Sequence, residues 1–179
     1  YNYKTLEKKY NKKYSSDGEC LIDLYREYGE NFAKHIHGEF AIVICDLNSK
    51  KMIIATDVFS TKPLYLSFEN NKFAISTYEH SIRELGLSKI YKCQNNSIFS
   101  VDLNDYKFRF CDNVYKFNLN QCKNNFNDFE KALKNAIKLM TDNTNKNVFI
   151  TMSSGYDSGL IACMLNELNR NFSSYSSLN

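Results

Sequence analysis

Phe40-Ala41-Ile42-Val43-Ile44-Cys45, then Asp46-Leu47-Asn48-Ser49-Lys50, then Met52-Ile53-Ile54-Ala55. Two apolar runs rich in β-branched residues flank a polar stretch of turn formers. That pattern predicts two strands joined as an antiparallel hairpin, with a loop longer than two residues. A second pair follows the only proline, Pro63: Leu64-Tyr65-Leu66-Ser67-Phe68, a turn at Glu69-Asn70-Asn71-Lys72, and Phe73-Ala74-Ile75-Ser76. A short helix is expected over 78–86, ended by Gly86. Two weaker strands are expected near Ser97–Val101 and Lys107–Cys111.

Upstream of the first hairpin the period changes. Asp17 is placed to cap a helix, because its carboxylate can accept backbone N–H bonds. Leu21, Leu24, Tyr25, Tyr28 and Phe32 follow at steps of three and four, the spacing of one buried helical face. Gly29 is expected to end the first segment and Gly38 the second. Downstream, residues 112–125 are polar and Asn-rich and read as a linker. Phe126, Phe129, Ala132, Leu133, Ala136, Ile137 and Met140 then trace an amphipathic helix. A short apolar strand, Val148-Phe149-Ile150-Thr151-Met152, runs into Ser153-Ser154-Gly155-Tyr156-Asp157-Ser158-Gly159 and a further helix. The chain therefore changes character near residue 115. Antiparallel hairpins with helices give way to the opening β–loop–α of a doubly wound α/β unit.

The chain has 179 residues, with 23 basic and 20 acidic side chains for a net charge of +3. That is too weak to argue for a polyanionic partner. The lysines of residues 1–14 keep helical spacing with Leu6 and Tyr10 and read as a solvated face, not a nucleic-acid patch. No run of eighteen apolar residues exists, so neither a membrane helix nor a membrane partner is expected. Six cysteines show no CxxC or zinc spacing. Cys45 and Cys163 sit inside apolar runs and are expected to be buried small hydrophobes. With no signal-peptide pattern at the start, a reducing cytoplasm is the expected compartment. His35 and His37 form an HxH pair, which two coplanar ligands on a strand would need for a metal. At a helix end, the expected reading is cationic histidine on the helix dipole. The first residue is Tyr1, not Met, and the expectation is a piece cut at both ends.

The strongest chemical signal is the segment from Ser153 to Ser158. A buried strand ends in a tight turn before a helix whose N-terminal N–H groups and dipole suit phosphate. Ser153 and Ser158 add hydroxyl donors, and Gly155 lets backbone approach a ligand. Asp157 would repel phosphate unless a cation lies between them, and Mg²⁺ is the natural choice. Asp157 serving only as an N-cap is the alternative. The GxxxxGK[ST] pattern is absent.

SxGxDS resembles the pyrophosphate-binding loop of the ATP pyrophosphatase family, usually written SGGxDS. The upstream residues narrow the match. Tyr1-Asn2-Tyr3-Lys4-Thr5-Leu6 resembles the segment after the Asn-Gly-Glu motif of class II glutamine amidotransferases. Ser16-Asp17-Gly18-Glu19-Cys20-Leu21-Ile22, Leu24-Tyr25-Arg26-Glu27-Tyr28-Gly29, Gly38-Glu39-Phe40-Ala41-Ile42, and Asp57 with Lys62-Pro63-Leu64-Tyr65 resemble their later motifs, in order. The combination resembles the glutamine-hydrolysing asparagine synthetase family.

The resemblance implies an α+β, N-terminal-nucleophile-type glutaminase portion over 1–112, a linker over 113–125, and the start of an ATP pyrophosphatase-type synthetase domain over 126–179. It implies an enzyme that makes asparagine from aspartate, activated as its AMP ester, using ammonia from glutamine. Relatives with another acceptor form β-lactams or peptide amides, and a non-catalytic ATP-binding or scaffold role is a third reading. ATP and Mg²⁺ are the implied cofactors, glutamine and aspartate the implied substrates, and a homodimer is left open. Asp17 matches the aspartate that binds the glutamine α-amino group. Met152, Ser153, Ser154, Gly155, Tyr156, Asp157 and Ser158 match the nucleotide site, with Asp157 toward the metal. The nucleophilic Cys of the family falls before Tyr1, so no catalytic residue is assigned. Asp57 reads as structural.

Departures from the family pattern are specific. Ser154 stands where Gly is usual, and would crowd the loop if its φ were positive. Gly159 stands for Ser, Thr56 for Arg, Ser60 for Gly, and Tyr78 for Glu.

Overall fold

The computed structural model describes residues 1–69, 72–142, 144 and 146–177. Two compact units emerge. One spans Leu6–Asn118; the other joins Tyr1–Thr5 with the residues from Leu119 onward.

The larger unit is built on two antiparallel sheets. The hairpin β1 (Ala41–Asp46) and β2 (Lys51–Thr56) is joined by β6 (Ser97–Asp102) and β7 (Phe108–Asp112) in the order β1-β2-β6-β7. The second hairpin, β3 (Tyr65–Glu69) and β4 (Lys72–Ser76), takes β5 (Ile90–Lys92) on its other side, in the order β4-β3-β5. In register, Met52 lies opposite Cys45 and Val101, and Ile54 opposite Val43 and Phe99. β2 is thus the central strand of its sheet. Met52, Ile54, Leu64, Cys93 and Val101 form one buried cluster, with Leu66, Phe73, Ile75 and Phe99 packed on it. By strand alternation Ile53 and Ala55 face the opposite side, where both are fully buried.

That opposite side carries a helical layer. Helix α2 (Cys20–Tyr28) ends at Gly29, whose φ of 55° lets its N–H return to Tyr25 O. A 3-10 segment, Gly29–His35, follows. Leu24 and Phe32 are fully buried, each worth about 1.5–3 kcal/mol of apolar burial. Tyr25 Oη donates to Asp46 at 3.1 Å, Lys51 reaches Glu30 at 3.1 Å and Lys34 reaches Asp112 at 2.6 Å. Arg109 closes a further pair on Glu30. Helix α3 (Glu79–Glu84) covers the smaller sheet through Ile82, with Ala74 and Leu87.

In the second unit, helix α4 (Asn127–Asp142) precedes β8 (Val148–Thr151), helix α5 (Tyr156–Glu167) and β9 (Phe172–Tyr175). β8 and β9 pair in parallel, as a crossover helix requires. Ile137, Met164 and Leu165 pack with Leu133, Val148, Ile150 and Phe172 on one face of that pair. On the other face Phe149 and Tyr175 meet edge to face at 5.9 Å, both exposed.

Several expectations need correction. β5 has no counterpart in the sequence reading. The stripe on α4 is only partly used: Ile137 is buried, whereas Phe126, Phe129, Ala132, Ala136 and Met140 are exposed. Cys45 and Cys163 are exposed, because β1 is an edge strand with an outward face and the helix α5 turns Cys163 outward. Cys20 and Cys93 are the buried thiols. The turn at Asn70-Asn71 lies outside the described residues. No described helix is long and apolar enough to cross a membrane.

Candidate functional site

Asp17 lies in an exposed turn, not at a helix cap. Helix α2 starts at Cys20, and its flanking Glu19 makes no side-chain cap. The reason is local. Glu19 accepts the Ser15 N–H at 2.8 Å and the Ser15 hydroxyl at 2.5 Å, closing the turn one step ahead of the helix. These bonds hold the Glu19 carboxyl below its usual range. Asp17 contributes its carbonyl, which accepts the Cys20 thiol at 3.0 Å, and leaves its carboxylate at the surface. Its neighbour Gly18 lines a groove of about 650 Å³ between α2 and β1, bounded by Leu21, Tyr25, Arg26, Ile44 and Leu47. An exposed carboxylate on a short, braced turn beside such a groove can meet an ammonium group.

The turn is tied down from both flanks. Tyr14 N–H donates to Glu7 at 2.9 Å and Tyr14 Oη to Asp23 at 2.8 Å. Lys12 pairs with Asp23 at 2.5 Å. These bonds hold the Asp23 carboxyl low, with Lys12 the main cause.

Asp57 is structural, as expected. It is 4% exposed. Its carboxylate accepts N–H bonds from Phe40 (3.1 Å), Phe59 (2.9 Å) and Thr61 (3.1 Å), and the Thr61 hydroxyl (3.1 Å). Burial pushes the carboxyl up, but the N–H groups of Thr61, Phe59 and Phe40 outweigh it and leave it below the usual range. Ser60, in this loop, has φ 53°. The family's glycine therefore answers a real left-handed position. Thr56, in place of Arg, is fully buried and donates to Gln94 O at 2.7 Å.

In the second unit the strand–loop–helix is present. Met152 follows β8, and its N–H donates to Tyr175 O at 2.7 Å. Ser153 Oγ accepts the Gly155 N–H at 3.1 Å, and Ser158 Oγ accepts the Ser153 N–H at 3.2 Å. The two hydroxyls lie 3.2 Å apart, so the ends of the loop are drawn together. Gly155, not Asp157, stands at the cap of α5; Asp157 sits in its first turn and is exposed, as is Tyr156. The simple cap reading of Asp157 is thereby corrected. Ser154 is absent from the positive-φ positions, so its Cβ brings no backbone strain. A Cβ on Gly155 would meet Ser153 Oγ at 3.2 Å. The backbone here is tight, which suits close approach by a ligand.

His35 departs from the cationic reading. Its ring stacks on Tyr28 with centroids 3.6 Å apart, and burial, then Lys9, push its pKa down. Among the described residues no group of three or more His, Cys, Asp or Glu side chains could hold a metal.

The profile of the glutamine amidotransferase domain family matches residues 1–84. The glutamine-hydrolysing asparagine synthetase of Homo sapiens is 28% identical over 92% of this chain and 34% of its own length. The amidase chry2 of Gibberella zeae is 40% identical over 41% of this chain and 11% of its own. The chain thus spans about a third or less of these relatives. The solved glutamine phosphoribosylpyrophosphate amidotransferase of B. subtilis superposes with a TM-score of 0.56 at 15% identity, covering 98% of this chain and 43% of that one. It shares the fold, antiparallel sheets with helices. Residues 1–84 thus match the glutamine amidotransferase domain family, and the chain is similar to glutamine-hydrolysing asparagine synthetases along most of its own length.

Proposed function

We propose that this chain is part of a glutamine-dependent enzyme that amidates aspartate to asparagine at the expense of ATP. The observation that carries the reading is that one chain holds both the Asp17 turn beside its groove and the Ser153–Ser158 strand–loop–helix. Asp17 receives the glutamine α-amino group. Ser153, Ser154, Gly155, Tyr156 and Ser158 hold the ATP phosphates, with Met152 beside the nucleotide. The tight Gly155 backbone and paired hydroxyls fit that role. Asp157 would supply one carboxylate toward a phosphate-bound Mg²⁺. ATP, when bound, activates the acceptor carboxylate. Six free thiols, three of them exposed, support a reducing, cytoplasmic setting.

The native gene product tests this. Expected are glutamate from glutamine, and asparagine with AMP from aspartate and ATP. Asp17→Asn raises the glutamine KM about tenfold or more, leaving ammonia-dependent synthesis intact. Release of no glutamate overturns the glutaminase assignment; glutamate without asparagine overturns the acceptor. A second reading, an amide-processing enzyme with another substrate, is favoured by the 40% identity to the amidase over the first part of the chain. Amide turnover without ATP would select it.

A further inference from the structure

We propose that Asn96 is a coupling residue: it straps the chain at 113–115 to the loop at 57–61, so that loosening either end loosens the other. The inference concerns backbone order and stands whether or not the chain binds glutamine or ATP.

The ladder between β6 and β7 ends at the pair Ile98 and Asp112, with Cys111 skipped by an irregularity in register. Beyond that pair Asn96 takes over. Its Oδ1 accepts the Tyr115 N–H at 2.8 Å, and its Nδ2 donates to Tyr115 O at 2.9 Å. One carboxamide thus answers both backbone groups of one residue, as a neighbouring strand would. The Asn96 carbonyl accepts the Val114 N–H at 3.4 Å and Asn113 Nδ2 at 2.9 Å. Asp112 holds the root of the strap: its carboxylate accepts the Asn113 N–H at 2.8 Å and pairs with Lys34 at 2.6 Å and Lys116 at 3.1 Å.

The same turn grips the Asp57 loop from its other side. The Asn96 N–H donates to Asp57 O at 2.9 Å, and Asn95 Nδ2 donates to Val58 O at 3.0 Å. Gln94 O accepts the Thr56 hydroxyl at 2.7 Å and the Ser97 hydroxyl at 2.5 Å. Asn96 is the residue of this turn that bonds to both ends. Its φ is 53°, a left-handed position that asparagine enters more readily than most side chains. Two demands therefore meet in one residue: glycine would satisfy the backbone but carry no carboxamide, and aspartate would bring an acceptor without the donor.

Opening the strap leaves the Asn96 backbone held from one side only, and its bond to Asp57 O is loosened with it. The Asp57 carboxylate receives the N–H groups of Phe59 and Thr61. These two amides then open more often, although neither is bonded to Asn96. A coupling free energy is the same read from either end, so disturbing the Asp57 carboxylate must in turn loosen Val114 and Tyr115.

Amide hydrogen exchange on the whole chain at constant neutral pH tests this. In Asn96→Gly, which keeps the left-handed backbone and removes the carboxamide, Val114 and Tyr115 should exchange about tenfold faster or more, and Phe59 and Thr61 about three- to tenfold faster. Asn96→Asp should do the same, because its carboxylate meets Tyr115 O with no donor. Asp57→Asn gives a reading that leaves Asn96 unaltered: Val114 and Tyr115 should exchange about threefold faster or more. Helix α1 (Tyr3–Tyr10) and helix α3 should exchange as in the unaltered protein. Unchanged exchange at Phe59 and Thr61 in both Asn96 variants, unchanged exchange at Val114 and Tyr115 in Asp57→Asn, or an equal acceleration of every amide overturns the coupling.

Discussion

Phe40 and Asp57 hold each other twice. The Phe40 N–H donates to the Asp57 carboxylate at 3.1 Å, and the Asp57 N–H returns to Phe40 O at 3.0 Å. The start of β1 and the end of β2 are thus locked together just beyond their last ladder pair. Removing the carboxylate strands the N–H groups of Phe59 and Thr61 as well. Asp57→Ala should cost about 3 kcal/mol and Asp57→Asn about 2 kcal/mol in denaturant unfolding. The folded pKa is depressed, so this stability is present above the unfolded value near 3.8 and lost as pH falls through the folded value. Asp57→Asn should flatten stability against pH in the acid range; an unchanged acid limb would contradict the assignment.

Ser60 carries two penalties at once. Its φ is 53°. Its buried hydroxyl oxygen finds no hydrogen-bond partner among the described residues. A non-glycine residue in the left-handed region costs roughly 1 kcal/mol, and glycine returns part of that gain as unfolded-state entropy. Ser60→Gly should stabilise by about 0.5–1 kcal/mol, read as a higher urea midpoint at unchanged slope. A lower midpoint would mean that the hydroxyl has a use not evident in its surroundings.

Gly155 and Gly159 should answer oppositely to alanine. Nothing lies within 4 Å of a Cβ at Gly159, inside α5. Gly159→Ala should therefore stabilise by about 0.5–1 kcal/mol. At Gly155 the added Cβ meets Ser153 Oγ, the group that accepts the Gly155 N–H. Gly155→Ala should destabilise the loop. Thermal melts of both variants decide, and equal shifts would defeat the distinction.

Thiol labelling should split five of the six cysteines by burial, with Cys111 intermediate. Cys45, Cys122 and Cys163 are exposed; Cys20 and Cys93 are buried. Burial alone pushes the Cys93 thiol up to about 11. Under native conditions a maleimide should modify the first three rapidly and the last two only on unfolding, with peptide mass spectrometry to assign them. Rapid native labelling of Cys93 would show that the inter-sheet cluster is open.

The hairpins are legible because their turns and apolar runs are local. Asp46 even supplies the turn with its own carboxylate, accepting the N–H groups of Asn48 and Ser49. β5 was not legible, because Ile90–Lys92 is three residues long and exists through pairing with Tyr65–Ser67. Cys45 misled because an apolar run looks the same on an edge strand as at a sheet centre. Asp17 misled as a cap because Ser15 and Glu19, four apart, close their own turn first. In the Ser153–Ser158 loop the two hydroxyls were legible as polar donors, but their approach to 3.2 Å of each other was not. Nor was the corrected cap at Gly155, since Asp and Gly both suit that position. The Tyr28–His35 stack had no sequence signal, because seven residues across a change of helix type follow no single period.

The order of strands in the larger sheet also has a kinetic meaning. β2 finds β1 across a tight turn, yet its other neighbour, β6, arrives only after the chain has traversed the whole of β3, β4, α3 and β5. The intervening loop must close before Met52 meets Val101. Two hairpins can form early and independently, and the rate of reaching the native state is set by the zipping of β6 onto β2. Val101→Ala should then slow refolding. A chain emerging from the ribosome would hold its first hairpin with one side unsatisfied until residue 102 had been made.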